Sequence, residues 1–412
     1  MLQQNKSTSV FSIIVVVAAL GYFVDIYDLL LFSIIRVPSL GPLGLGLSPE
    51  LVTSKGEFII ACQMMGLLIG GILWGVLGDK KGRLSVLFGS IILYSLANIA
   101  NGFVQTADQY AHMRFIAGVG LAGELGAGIT LVSELTPKEK RGIATSLVAG
   151  IGLTGAIVAF IMKANFEWRT CYFIGGGLGL LLLLLRISVF ESGMFTEIKK
   201  TNVKRGNFFM LFTKKERFFR YLQSIVIGLP TWFVIGILIT FSKEFGEKFG
   251  IKEKIDSGKA IMYAYVAIAI ADVLIGFVSQ WLKSRKKAMA LFYAITVLFI
   301  VLFFTVQWNG TAANMYLICA GLGFGTGFWA IFVTMGAEQF GTNLRATATT
   351  TIPNMVRGML AVFMIPLFKL LRGGMDYVTA GWVTGIIIML LAIAALIYIK
   401  ETFNKDLNFI EE

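Results

Sequence analysis

The chain has 412 residues, of which 56% are hydrophobic and only 15% charged, and its formal net charge is +12. A soluble domain carries about 25% charged residues and has nowhere to hide this much apolar surface, so the chain belongs in a bilayer. Its cysteines, Cys62, Cys171 and Cys319, each sit in an apolar run, and His112 is the single histidine; a disulfide framework and a metal cluster are both excluded.

A helix needs roughly 20 apolar residues to cross the ~30 Å hydrocarbon core. That ruler predicts spans over 11–35, 56–78, 84–105, 109–134, 142–163 and 170–190, then over 220–242, 257–282, 287–307, 313–337, 346–371 and 377–400. A β-barrel would show short alternating runs instead of these long continuous ones. The expectation is an all-α membrane protein of twelve transmembrane helices in two pseudo-symmetric six-helix bundles. Residues 1–190 form the first bundle, 191–219 a basic linker, and 220–412 the second. The first span carries Asp25 and Asp28 and is too long for a cleavable leader, so it should remain in the mature protein.

Lysine and arginine set the orientation. With both termini inside, the inner segments hold 22 basic residues against 10 in the outer loops. Half of those ten lie between Lys243 and Lys259, where Glu244, Glu247, Glu253 and Asp256 nearly balance them. Excess lysine is thus explained by a membrane surface, with no need of nucleic acid. The termini and the linker are expected in the cytoplasm.

The halves repeat one another. Glu134 to Arg141 closes the fourth span and Glu338 to Arg345 the tenth, each with an arginine seven residues after a glutamate and 204 positions apart. Gly75-x-x-x-Asp79 likewise corresponds to Gly276-x-x-x-Gln280. Duplication of this kind places a transport site at the interface of the two halves.

Charges inside the spans carry the chemistry. Asp25, Asp28, Arg114, Glu124, Asp272 and Arg357 all lie well within apolar sequence. A charge at the bilayer centre costs at least ~2.5–3.5 kcal/mol, so such residues pair or line a cavity. Asp25 and Asp28 are three apart and share a helical face. A carboxyl out of water favours its neutral form and a nearby arginine its ionised form, so exchange of that partner binds and releases a proton. Asp25 and Glu124 are the expected proton carriers, with Arg114 as their partner and Asp28 beside them; a static buried ion pair between the first and fourth helices is the alternative. Arg357, after Pro353 and Asn354, has the planar fork that suits a carboxylate; pairing with Asp272 is the alternative there. Tyr22, Trp232 and Trp329 are candidate cavity aromatics, against the plainer possibility that they face lipid.

The segment Gly75-Val-Leu-Gly-Asp79-Lys80-Lys-Gly82-Arg83 resembles the signature loop of the major facilitator superfamily, at the place where that family has it. Arg114-Phe-Ile-Ala-Gly118-Val-Gly120 resembles the family's helix 4 motif, and the twelve spans and basic central loop extend the resemblance over the whole chain. Asp25-Ile-Tyr27-Asp28 and Gly123-Glu124 resemble the metabolite:proton symporters and organic-ion carriers of that superfamily. The resemblance implies that Asp79, Arg83, Glu134 and Arg141, with Glu338 and Arg345 in the second half, latch an inner gate; the plainer alternative is ordinary helix-end charge. It also implies the major facilitator fold and, loosely, a basic substrate residue in the helix of Arg357. One departure is informative: Gly150-Ile-Gly152-Leu-Thr-Gly155-Ala lacks the glycine-proline motif of drug exporters in the fifth helix.

The expectation is therefore a monomeric secondary carrier of a bacterial inner membrane. It imports a small polar, anionic metabolite together with protons by alternating access, with no cofactor, no metal and no nucleic acid. An exporter or uniporter on the same fold is the alternative. An enzyme is not expected, since no Ser–His–Asp set, metal ligands or phosphate-cradling loop occurs. With Lys204→Cys in a cysteine-free background, impermeant thiol reagent added outside intact cells should leave the protein unlabelled; efficient labelling would reverse the topology.

Overall fold

The computed structural model describes residues 13–81, 83–124, 148–191, 208–405 and 411, with backbone alone at 13–14, 78–81, 83–85, 188–191, 342–343 and 345–346. Every regular element among the described residues is helical. The first six long helices are α1 (Ile13–Leu40), α2 (Pro49–Lys81), α3 (Arg83–Asn101), α4 (Ala107–Leu121), α5 (Val148–Asn165) and α6 (Trp168–Glu191). The second six are α7 (Lys215–Ile239), α8 (Ser257–Trp281), α9 (Arg285–Thr305), α10 (Ala312–Glu338), α11 (Thr347–Arg372) and α12 (Tyr377–Tyr398). Ten of them are, among the described residues, long and apolar enough to cross a membrane. Of the other two, α3 is apolar over Val86–Asn101 and α4 is described only as far as Leu121.

Several helix ends depart from expectation, among them two that cross charged residues. α1 continues past 35 to Leu40, and α2 starts at Pro49 instead of 56. The added turns carry charge at Arg36 and Lys55. The chain keeps the helix going and satisfies the charge: the Arg36 guanidinium is fully buried against Glu244, and Lys55 reaches Asp108 at 3.0 Å. Residues 192–207 of the expected linker lie outside the described residues; a short helix, Met210–Thr213, precedes α7.

The duplication is built into the packing. Thr106 caps α4 by accepting from the Gln109 amide, and Thr311 caps α10 by accepting from the Asn314 amide, both at 3.2 Å. Each cap satisfies one of the donors that a helix start leaves free. A Cβ on Gly118 would fall on the Gln63 carbonyl oxygen of α2, and one on Gly323 on the Ala264 carbonyl oxygen of α8. Two residues on, a Cβ at Gly120 would lie 2.6 Å from the Tyr94 nitrogen of α3, and one at Gly325 2.7 Å from the Thr296 nitrogen of α9. The same helix trio is thus held by the same small residues in each half, because backbones approach this closely only where no side chain intervenes.

The halves meet along α2–α11 and α5–α8, with α1 against α7 and α8. The second half is less regular where it faces this seam. α7 carries a π-helical stretch at Val234–Ile239 and α11 one at Leu360–Met364. α10 breaks between Thr326 and Trp329. Such interruptions free backbone groups and turn side chains out of register, and they concentrate at functional sites.

Gly118→Val and Gly323→Val should each cost about 1–3 kcal/mol, as overpacked sites do, and lower the unfolding temperature of the purified protein. An unchanged melting curve would show that these helices are not in backbone contact.

Candidate substrate and proton site

Arg357 stands at the centre of the seam. Its side chain is 1% exposed, and Nη2 lies 3.9 Å from Asp25 Oδ2 across the two halves. This is close enough for attraction and too far for a hydrogen bond. Nε and Nη1 of Arg357 have no protein partner, and neither has either oxygen of Asp25. The guanidinium carbon sits 5.9 Å from the Trp232 ring and 5.8 Å from the Trp329 ring, so two indole faces flank it. Both indole N–H groups are also free of protein partners. Tyr22 and Tyr265 lie within electrostatic reach of Arg357 and Asp25. Together these form a buried planar cation with idle donors, aromatic walls and one acid beside it.

Helix chemistry explains the placement. Trp232 follows Pro230 at the restart of α7, just before the π-helical stretch. Trp329 is the first residue of the second segment of α10. That segment begins inside the protein, where its leading N–H groups have no water. Asp272 of α8 supplies the cap, with Oδ1 accepting from the Ala330 amide at 2.8 Å.

This corrects the alternative pairing of Asp272 with Arg357: its Oδ1 closes the broken helix, and Arg357 faces Asp25 instead. Asn354 is engaged through its nitrogen only, and its Oδ1 has no protein partner. Its amide donates to the Ala122 carbonyl of α4 at 2.9 Å and to Thr350 at 3.0 Å, tying α11 to the first half.

The expected partners of Arg114 are corrected as well. Arg114 donates to Asn98 Oδ1 at 2.9 Å, to the Asp28 carbonyl at 3.0 Å and to Gln63 Oε1 at 3.3 Å, and it sits over the Tyr172 ring. Neither Asp25 nor Glu124 is its partner. Glu124 is held by Arg186 of α6 through both oxygens, one contact being 2.9 Å. Arg114 and Glu124 are ten residues apart, about 15 Å along a helix, so the two side chains do not meet. Arg186 is the missed residue: it was visible as an arginine inside the sixth span, but depth alone does not say which way a side chain faces. A Cβ on Gly21 of α1 would overlap the Arg186–Glu124 pair, so the glycine makes room for it.

Of the expected gate residues, Glu134 and Arg141 lie outside the described residues, and the side chains of Asp79, Arg83 and Arg345 are not described. Glu338 meets Arg285 of α9 at 3.4 Å.

The family description Major Facilitator Superfamily matches residues 7–363. The chain belongs to the major facilitator superfamily. It is 25% identical over 395 residues to the niacin transporter NiaP of Acinetobacter baylyi, covering 87% of this chain and 88% of that one. It is 26% identical over 299 residues to the 3-(3-hydroxy-phenyl)propionate transporter of Escherichia coli, covering 71% and 72%. Among solved structures, the proton:xylose symporter XylE superimposes with a TM-score of 0.69 at 17% identity, over 96% of this chain and 97% of that one. That likeness confirms the twelve-helix fold. This member of the superfamily is a multi-pass membrane transporter of small organic metabolites, and not an enzyme.

Asp272→Ala should lower stability by about 0.5–2 kcal/mol, the usual cost of a lost cap, and expose Trp329 to acrylamide quenching. Asp272→Asn, which keeps an acceptor oxygen, should restore both readouts. Equal behaviour of the two variants would show that the cap does not hold Trp329.

Proposed function

We propose that the chain imports a small planar organic anion, an aromatic monocarboxylate, together with protons across the bacterial inner membrane, as a monomer with both termini cytoplasmic. The observation that carries this reading is Arg357, buried between two indole faces with Nε and Nη1 idle and 3.9 Å from Asp25. A guanidinium fork takes a carboxylate through two parallel hydrogen bonds. Flat apolar walls on either side favour a ring attached to that carboxylate over a polyol. The names of two relatives point the same way, since niacin and hydroxyphenylpropionate are both aromatic carboxylates.

Coupling follows from competition for one cation. Substrate bound by Arg357 leaves Asp25 without its counter-charge in a site sheltered from water. An unpaired buried carboxylate is costly, so Asp25 binds a proton as the substrate binds. Release of the substrate returns Arg357 to Asp25 and expels the proton. Glu124, already satisfied by Arg186, and Asp28, beside Arg114, complete the interior charge balance. The charges at the α2–α3 end, Asp79 and Arg83 among them, close the cytoplasmic side when the carrier faces outward.

In proteoliposomes with an inward proton gradient, labelled nicotinate or benzoate should accumulate above its equilibrium level. Arg357→Gln should weaken binding by roughly 10- to 100-fold, as for loss of hydrogen bonds to a charged group worth ~1.5–3 kcal/mol. Asp25→Asn should abolish gradient-driven accumulation while leaving substrate exchange in place, since exchange needs no net proton movement. Accumulation by Asp25→Asn at the wild-type level would make the protein a uniporter or couple it elsewhere. Efflux driven by the same gradient would make it an exporter.

A further inference from the structure

The chemistry around Arg357 occurs a second time, at the α1–α2 end of the molecule. Arg36 of α1 is fully buried, and its Nη2 lies 2.6 Å from Glu244 Oε1 and 3.4 Å from the Thr240 carbonyl. Its Nε and Nη1 have no protein partner. Its guanidinium carbon lies 4.6 Å from the ring of Phe241, which follows α7. Here again a buried arginine is engaged by one carboxylate through one nitrogen, keeps two donors idle and rests against an aromatic ring from the α7 region. Around it are further polar atoms without protein partners: Glu244 Oε2, Ser242 Oγ and Tyr377 Oη. Thr53 donates to Glu244 Oε1 at 3.2 Å.

The pair also bridges the two halves, and among the described residues it is one of three ion-pair groups that do so at this end. Glu57 of α2 is held by Arg372 at 2.8 Å and by Lys369 at 3.3 Å, both on α11. Lys163 of α5 pairs with Asp256 at the start of α8. Each of the α1–α7, α2–α11 and α5–α8 contacts therefore ends in an ion-pair clasp. Of the three acids, Glu244 is the one facing an arginine that has spare donors and an aromatic wall.

We propose that Arg36 is an outer docking site for the carboxylate of the incoming substrate, which displaces Glu244 and thereby opens one of the three clasps. The proposal rests on the anionic-substrate reading above. Replacing one carboxylate by another keeps the guanidinium paired throughout, and the released Glu244 carboxylate, 12% exposed, is the charge left to water. Asp25 lies eleven residues back along α1, about 16 Å at the helical rise. A carboxylate leaving Arg36 thus travels roughly three turns of α1 to reach Arg357.

The test uses the full chain in lipid nanodiscs, with its native cysteines replaced and Ser242→Cys as a thiol reporter beside the clasp. Benzoate is the probe and benzamide the neutral control. Benzoate should raise the labelling rate several-fold, and benzamide should not. The effect should survive Arg357→Gln, which disables the central site, and vanish in Arg36→Gln. Glu244→Gln should be labelled rapidly without any ligand. Loss of the benzoate effect in Arg357→Gln, or its persistence in Arg36→Gln, overturns the proposal. So does an unchanged labelling rate while quenching of tryptophan fluorescence still reports Arg357-dependent benzoate binding; the anionic-substrate reading then stands alone. If benzoate, nicotinate and 3-phenylpropionate all fail to bind in an Arg357-dependent way, that reading falls and takes this proposal with it. Should Arg36→Gln not fold, Glu244→Gln/Arg357→Gln replaces it: with the competing acid gone it should bind benzoate more tightly than Arg357→Gln, and equal affinity rejects the docking site.

Discussion

A charge placed inside a bilayer must be answered by another charge or by a converging set of dipoles, and the organisation of this transporter follows from how each of its interior charges is answered. Glu124 is answered by Arg186, with Gly21 cut away to admit them. Arg114 is answered by the amide oxygens of Asn98 and Gln63 and the carbonyl of Asp28. Asp272 is answered by the opening N–H groups of a broken helix. These are closed accounts, and they hold the helices in place. Arg357 and Asp25 attract each other across the seam but share no hydrogen bond, and both keep unused capacity, as does Asp28, neither of whose carboxylate oxygens has a protein partner. An incompletely satisfied pair at the boundary between the two halves is the one on which the proposed substrate and proton act.

The twofold repeat and the site make opposite demands on the same helices. Threonine caps and glycine contacts recur in both halves at nearly constant spacing, because each bundle must solve the same packing problem. The site departs from the repeat. The three acids Asp25, Asp28 and Glu124 lie in the first half, whereas Arg357 and both tryptophans lie in the second. The π-helical stretches in α7 and α11 and the break in α10 all fall in that second half. The irregular stretches of α7, α10 and α11 turn Trp232, Trp329 and Arg357 toward the seam.

Closure at the α1–α2 end uses both halves reciprocally. The first half contributes Arg36, Glu57 and Lys163, and the second answers with Glu244, Arg372, Lys369 and Asp256. Because each half carries both signs, neither bundle repels itself when the clasps part, and rigid-body tilting makes or breaks the pairs. Each clasp sits at the end of a helix that crosses the seam, so these ion pairs report directly on the relative tilt of the halves.

The sequence by itself determined the solvent, the number of spans, the duplication and the depth of every interior charge. These are properties of length, composition and periodicity along one chain, and a helix rises at a fixed rate whatever surrounds it. Partnership was decided only by the tertiary structure. Depth placed Asp25, Arg114 and Glu124 inside the apolar spans, but pairing depends on which way each helix is turned and which helices touch. Packing sent Arg114 toward Asn98, Glu124 toward Arg186 and Asp25 across the seam toward Arg357. The buried arginine at Arg36 was hidden for the same reason. A charge near the end of an apolar run looks like the membrane edge until Glu244, more than two hundred residues away, is seen to meet it.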